Sequence, residues 1–211
     1  MSINMTAKHA RWPKSNDIIF GLAGQAAEAI KKYGTKNVIN STIGALIDDE
    51  GNLITMKTVY DQLKALPNAE IAAYSALAGQ PDFLEAVQAA CFRDHRPDAF
   101  IKAVATPGGT GSIKHAVWNY TNPGDEILIS DWYWAPYNTI TEEVDRKIKN
   151  YTLFNEKNEF NIESFKENFN ALIEKQKRLL TIINTPAHNP TGYSLSDDEW
   201  KQVLDIMKEA A

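Results

Sequence analysis

The sequence predicts an α/β chain of three layers. Helices cover both faces of a mostly parallel sheet, and an N-terminal arm with a small-domain segment precedes it. Three observations carry this. From residue 81 onward, short β-favouring runs alternate with helical patterns, as parallel strands joined by crossover helices require. Three loops, 108–112, 131–137 and 184–192, each follow such a run, where α/β sheets hold their ligands. The composition, 44% hydrophobic and 23% charged over 211 residues, is that of an ordinary globular chain with enough length for a core. Residues 1–66 read as the arm and small-domain segment, and 67–211 as the first part of a large domain.

Taken in order, Ser15-Asn16-Asp17 predicts an N-cap. Ile18, Ile19, Leu22, Ala26, Ala29 and Ile30 then recur at helical spacing, and Gly34 ends the helix. Residues 38–46 read as a strand running into a loop, and Asp48-Asp49-Glu50-Gly51-Asn52 is turn chemistry. Lys57 to Leu66 predicts a second helix, stopped by Pro67. Pro81 suits the first turn of another, whose apolar face is Phe83, Leu84, Val87 and Ala90. Ile101 to Ala105 reads as a strand, followed by a glycine turn and a helix over Ser112–Tyr120 with Ile113, Ala116, Val117 and Tyr120 on one face. Further strands are expected at 126–130, 147–153 and 179–183. Helices are expected at 137–144 and 162–176, and at 200–210 behind a Ser196–Glu199 capping box. The alternation stops after this last helix.

Several classes are excluded. A net charge of −5 without clustered basic runs offers nucleic acid no footprint. A single cysteine, Cys91, rules out an internal disulfide and a cysteine-cluster metal site; its apolar helical pattern predicts a small core residue. No long apolar run marks a signal peptide or membrane span, so a soluble cytoplasmic protein is expected. No metal site is expected.

The chemistry sits in the three loops. Thr106-Pro107-Gly108-Gly109-Thr110-Gly111-Ser112 joins a strand to a helix start, where bare backbone amides and the helix dipole favour an anion. It is neither a Walker A loop nor a dinucleotide fingerprint. On these residues alone, a plain glycine turn is an equally good reading. Trp132, Tyr133 and Trp134 offer aromatic faces for a flat ring, or core packing for at least one of them. Asn189, between Pro186 and Pro190, offers a side-chain amide in a stiff loop, or only a turn. His188 reads as structural. Phosphate, flat ring and polar ring substituent together describe a phosphorylated aromatic cofactor.

The chain here resembles the class I/II aminotransferases, fold type I enzymes dependent on pyridoxal 5'-phosphate, and within them the aspartate and aromatic branch. The resemblance rests on Thr106 to Gly111, Ser130 to Trp134 and His188-Asn189-Pro190-Thr191-Gly192. It extends to Ile43-Gly44-Ala45 and to Tyr74 before Gly79-Gln80-Pro81-Asp82-Phe83. It implies amino-group transfer between an amino acid and a 2-oxo acid. It also implies roles. Gly109, Thr110 and Gly111 would bind the cofactor phosphate, Trp134 would stack on the ring, and Asn189 would donate to the phenolic oxygen. Tyr74 would reach the phosphate in a neighbouring subunit of a homodimer, and Gly44 would contact the substrate carboxylate. The Asn189–Pro190 bond is cis in the family pattern, and Tyr137 stands where aspartate-branch relatives often carry histidine. The Schiff-base lysine and the acid that partners the pyridine nitrogen have no counterpart in a matching motif here. The 211 residues therefore read as the N-terminal part of a longer enzyme, inactive alone. A lyase or decarboxylase of the same fold, or a non-catalytic module keeping the cradle, are the alternatives.

Overall fold

The computed structural model describes residues 5–10 and 18–210, which fall into two compact units, Met1–Tyr74 and Ser75–Ala211. The N-cap expected at Ser15-Asn16-Asp17 lies outside the described residues.

In the first unit, α1 (Ile18–Tyr33) ends at Gly34, whose φ of +83° suits a residue without a Cβ. Residues 38–46 form no strand among the described residues. The pairing present is an isolated antiparallel bridge, Ile47 to Leu53, on either side of the expected turn. Asp48 organises that turn: its Oδ1 accepts from the amides of Asn52 (2.7 Å) and Glu50 (3.1 Å). These bonds, Asn52's foremost, hold its carboxyl below the usual carboxylate range. Two helices follow, α2 (Lys57–Ala65) and α3 (Asn68–Ala72). Pro67 ends the first and serves as N-cap of the second, which the sequence did not announce.

The second unit opens with α4 (Pro81–Phe92), proline at its first position as expected. Its apolar face is only partly covered: Leu84 is half-buried, but Phe83 and Val87 are exposed, and so is Cys91, contrary to the expected core position. Periodicity shows which face is apolar, but burial needs a partner surface, and among the described residues Phe83, Val87 and Cys91 have too little of one. The same reason corrects the strand expected at 101–105. Ala105 donates to the Ala78 carbonyl at 2.7 Å, but no ladder forms beside it among the described residues.

Next come α5 (Gly108–Tyr120), β1 (Glu126–Ser130), α6 (Pro136–Glu142) and β2 (Lys147–Tyr151). The unit closes with α7 (Ile162–Gln176) and α8 (Asp197–Glu209). The strands β1 and β2 pair in parallel, from Glu126 opposite Lys147 to Ser130 opposite Tyr151. Residues 179–183 lie along the other edge of β1 through a parallel bridge, Leu128 to Thr181. There the Leu128 amide donates to Leu180 (3.1 Å) and its carbonyl accepts from Ile182 (3.0 Å).

Successive side chains of β1 point to opposite faces, and the core divides accordingly. Ile127 and Ile129 bury with Val117 of α5 and Tyr137 and Ile140 of α6. Leu128 buries on the other face with Phe165, Phe169 and Leu172 of α7 and Val203 and Ile206 of α8. This is the three-layer α/β/α arrangement that the sequence predicts. Tyr120, expected on the inner face of α5, is exposed instead. Helix ends match local signals: Asn161 Oδ1 accepts from the Ser164 amide at 3.1 Å, and the Ser196–Glu199 capping box is complete.

Leu128→Ala is expected to cost about 3 kcal/mol, the usual scale for emptying a buried leucine site. Leu77→Ala, at a fully exposed position, is expected to change the urea midpoint little. Equal effects at both positions would contradict the two-sided core.

Candidate functional site

The three loops all leave the same unit, and two of them are joined by hydrogen bonds at the C-terminal end of β1. Ser130, the last residue of that strand, donates its hydroxyl to the Trp132 carbonyl in a short bond. Its oxygen lies 3.2 Å from His188 Nε2, and His188 Nδ1 lies 2.9 Å from Thr191 Oγ1. With the serine proton committed, Nε2–H donates to Ser130 and Nδ1 accepts from Thr191, which assigns the tautomer. His188 is buried, and burial pushes its pKa below the usual histidine value. It is a structural latch, as the sequence predicts.

The loop after β1 is fixed from both sides. Asp131 Oδ1 accepts from the amides of Trp132 (3.0 Å) and Leu153 (2.9 Å), while the Asp131 amide donates to Tyr151 (2.8 Å). Trp132 remains exposed. Tyr133 and Trp134 are half-buried and pack on the core that Val117 and Ile129 share. Trp134 meets Tyr137 edge-to-face, centroids 5.5 Å apart. Asn189 is exposed; its backbone amide donates to Asn184 Oδ1 at 3.4 Å. Both Thr185–Pro186 and Asn189–Pro190 are cis, the second as expected. Gly192, at φ +74°, closes the turn by donating to the His188 carbonyl at 2.6 Å.

The glycine segment corrects one expectation. The helix starts at Gly108 rather than Ser112, so Gly109, Thr110 and Gly111 are its first turn. Thr106 Oγ1 accounts for this by donating to the Gly108 carbonyl (3.0 Å) and meeting Ser112 Oγ at 2.7 Å, which folds the segment onto the helix. Gly111 is needed sterically, since a Cβ there would lie 2.8 Å from Pro107 Cδ. Around Gly109 the space is open.

The two ends of α5 are treated differently. Its N-terminus has no side-chain cap and no acidic residue in the first turn. The starts of α2 and α6 are likewise uncapped and free of acids, whereas in α7 and α8 a side chain caps the helix and acids follow. At its C-terminal end, buried Arg146 donates from Nε to Thr121 Oγ1 (2.9 Å) and from Nη2 to the Thr121 carbonyl (2.7 Å). Its guanidinium stands 5.4 Å from the Trp118 ring centroid. A cation there complements the dipole by about 0.3–2 kcal/mol. Sequence reading missed Arg146, because its partner lies 25 residues upstream and no motif joins them. It also missed the connecting roles of Ser130 and Asn184, which only the folded loops reveal. Lys114, in the second turn of α5, pairs with Glu143 at 2.9 Å.

Gly44 and Tyr74 belong to the first unit. Both are exposed, and nothing lies within 4 Å of a Cβ built on Gly44. Among the described residues, no helix is long and apolar enough to cross a membrane.

Residues 36–211 match the family model described as aminotransferase class I and II. An aspartate aminotransferase of Pseudomonas aeruginosa is 28% identical over 81% of this chain and 44% of its own length. The crystal structure of an aminotransferase from Anaerococcus prevotii superposes with a TM-score of 0.94 at 40% identity, over 98% of this chain and 51% of that one. An aromatic-amino-acid aminotransferase of Burkholderia pseudomallei, described as covalently bound to pyridoxal phosphate, superposes at 0.75 over 98% of this chain and 52% of that one. At 21% identity this last likeness is one of fold. The chain spans about half the length of the proteins it matches.

Because folding lowers the His188 pKa, the unfolded chain takes up a proton first as pH falls below about 6.5. Stability is therefore expected to drop on acidification from pH 7.5 to 5.5, and His188→Gln should flatten that part of the thermal-midpoint profile. An unchanged slope in the variant would contradict the latch.

Proposed function

The chain belongs to the class I and II aminotransferase family, and from that premise we propose that it holds pyridoxal phosphate for amino-group transfer between an amino acid and a 2-oxo acid. The observation that carries this reading is the open, uncapped N-terminus of α5. The donor set there suits a phosphate dianion: the Gly109 and Thr110 amides, a neutral hydroxyl, and no acidic residue in the first turn to repel the charge. The positive end of a 13-residue helix faces that charge while Arg146 terminates the opposite end.

In this reading the amides of Gly109 and Thr110 and the Thr110 hydroxyl bind the phosphate, and Gly111, whose own amide donates to the Pro107 carbonyl at 3.3 Å, lines the cradle beside them. Trp134 covers one face of the ring, and Asn189 donates to its phenolic oxygen, stabilising the negative charge there. When bound, the cofactor withdraws electrons from the substrate's reacting carbon, which is the chemistry no side chain supplies. The protein's part is to orient the ring and keep water from it. Gly44 offers a backbone contact to the substrate carboxylate. Tyr74 reaches the phosphate of a neighbouring subunit, so a homodimer belongs to this reading, as does a cytoplasmic setting.

The test is a titration of the purified chain with pyridoxal phosphate, followed by absorbance and tryptophan fluorescence. Gly109→Pro deletes one amide donor at a helical position where proline is tolerated, and Thr110→Val deletes the hydroxyl. Each is expected to weaken binding about 3- to 10-fold, the scale of one lost hydrogen bond, with the thermal midpoint unchanged. Unaltered affinity in both would sink this placement of the phosphate.

A further inference from the structure

We propose that Tyr137 and Asn184 are positioning residues for the ring end of the cofactor, holding Trp134 and Asn189 at a fixed separation; this rests on the reading of the site given above. Three contacts run in series between those two residues. The Asn189 backbone amide donates to Asn184 Oδ1 at 3.4 Å, and Asn184 Nδ2 donates to the Tyr137 hydroxyl at 3.3 Å. The Tyr137 ring meets the Trp134 indole edge-to-face at 5.5 Å.

The other polar links between these loops end elsewhere. Ser130, His188 and Thr191 tie the second proline turn to the carbonyl of Trp132, two residues short of the indole. Among the described contacts, the Asn184–Tyr137 bond is therefore the one that connects the side chain of Trp134 to Asn189.

The bridge has a rigid foundation. Tyr137 is only 5% exposed and lies in the first turn of α6. Its ring stacks on Tyr133, centroids 6.4 Å apart, and its carbonyl accepts from Thr141 Oγ1 at 2.9 Å. Tyr133 is itself pinned, donating to Asn138 Oδ1 at 3.0 Å. A planar ligand touched on its face by one loop and at its edge by another is gripped only if the loops keep their spacing, and small displacements are costly. Asn184 has the chemistry this needs, since an amide donates and accepts at once.

The phosphate end has no part in this bridge, and that separates a positioning role from a general loss of structure. The unmodified chain, Tyr137→Phe, Asn184→Ala and the double variant are titrated with pyridoxal phosphate and, separately, with inorganic phosphate. Tyr137→Phe keeps the aromatic ring and removes only the hydroxyl. Each single variant is expected to weaken pyridoxal phosphate about 3- to 10-fold. The double variant should be no worse than the weaker single one, because the two residues share one bond. Inorganic phosphate affinity should be unchanged throughout. Unchanged pyridoxal phosphate affinity in both single variants overturns the inference. So does a parallel loss for both ligands, which would make the pair part of the general packing, and so does additivity in the double variant. Failure of the unmodified chain to bind pyridoxal phosphate overturns the proposed function, and this inference falls with it.

Discussion

Burial of β1 on both faces is the constraint from which the second unit is built. A five-residue strand reading Glu-Ile-Leu-Ile-Ser presents Ile127 and Ile129 to one side and Leu128 to the other, all at or near zero exposure. Neither layer of helices can shift without exposing apolar surface worth roughly 25 cal/mol per Å². The start of the strand is clamped as well: the Glu126 amide donates to Gln176 Oε1 at 2.6 Å, and Gln176 Nε2 donates back to the Glu126 carbonyl at 3.0 Å. A strand held in this way gives its last residue, Ser130, a fixed address, and two loops hang from that residue.

The site then follows from how backbone polarity is distributed. The N-termini of α7 and α8 are closed by their own side chains, so their dipoles are neutralised locally. The α5 N-terminus is left open, while a buried guanidinium at its C-terminal end accepts the cost of leaving water without a carboxylate among its described partners. Its compensation is hydrogen bonding to Thr121, the negative helix end and the face of Trp118. With no carboxylate at one end and a cation at the other, the dipole of α5 is left available to an anion.

Much of this was legible in the sequence, because local rules act locally. The capping box before α8, the proline opening α4, and the strand–helix alternation around β1 and β2 with the loop after β1 all follow from nearest-neighbour chemistry. What escaped depended on distant partners. Ile101 to Ala105 has the composition of a strand but no ladder beside it, and the apolar face of α4, with Cys91, has too little covering surface among the described residues. The start of α5 escaped for another reason. Glycine propensity argues for a turn, and only the bonds of Thr106 to Gly108 and Ser112 draw the segment into the helix. The loops were read as candidate sites, but the bonds between them, Ser130 to His188 and Asn184 to Tyr137, span 58 and 47 residues and leave no trace in spacing.

The central claim is that the first turn of α5 is an anion site serving a ring held by the neighbouring loops. A nitrogen-15 resolved NMR titration of the chain with pyridoxal phosphate addresses it residue by residue. The account predicts that the amide signals of Gly109 and Thr110 and the indole signal of Trp134 move together, saturating at one ligand concentration, with those at the starts of α7 and α8 unmoved. Shifts confined to other helix starts, or a Trp134 signal that stays still while the Gly109 amide moves, would contradict it.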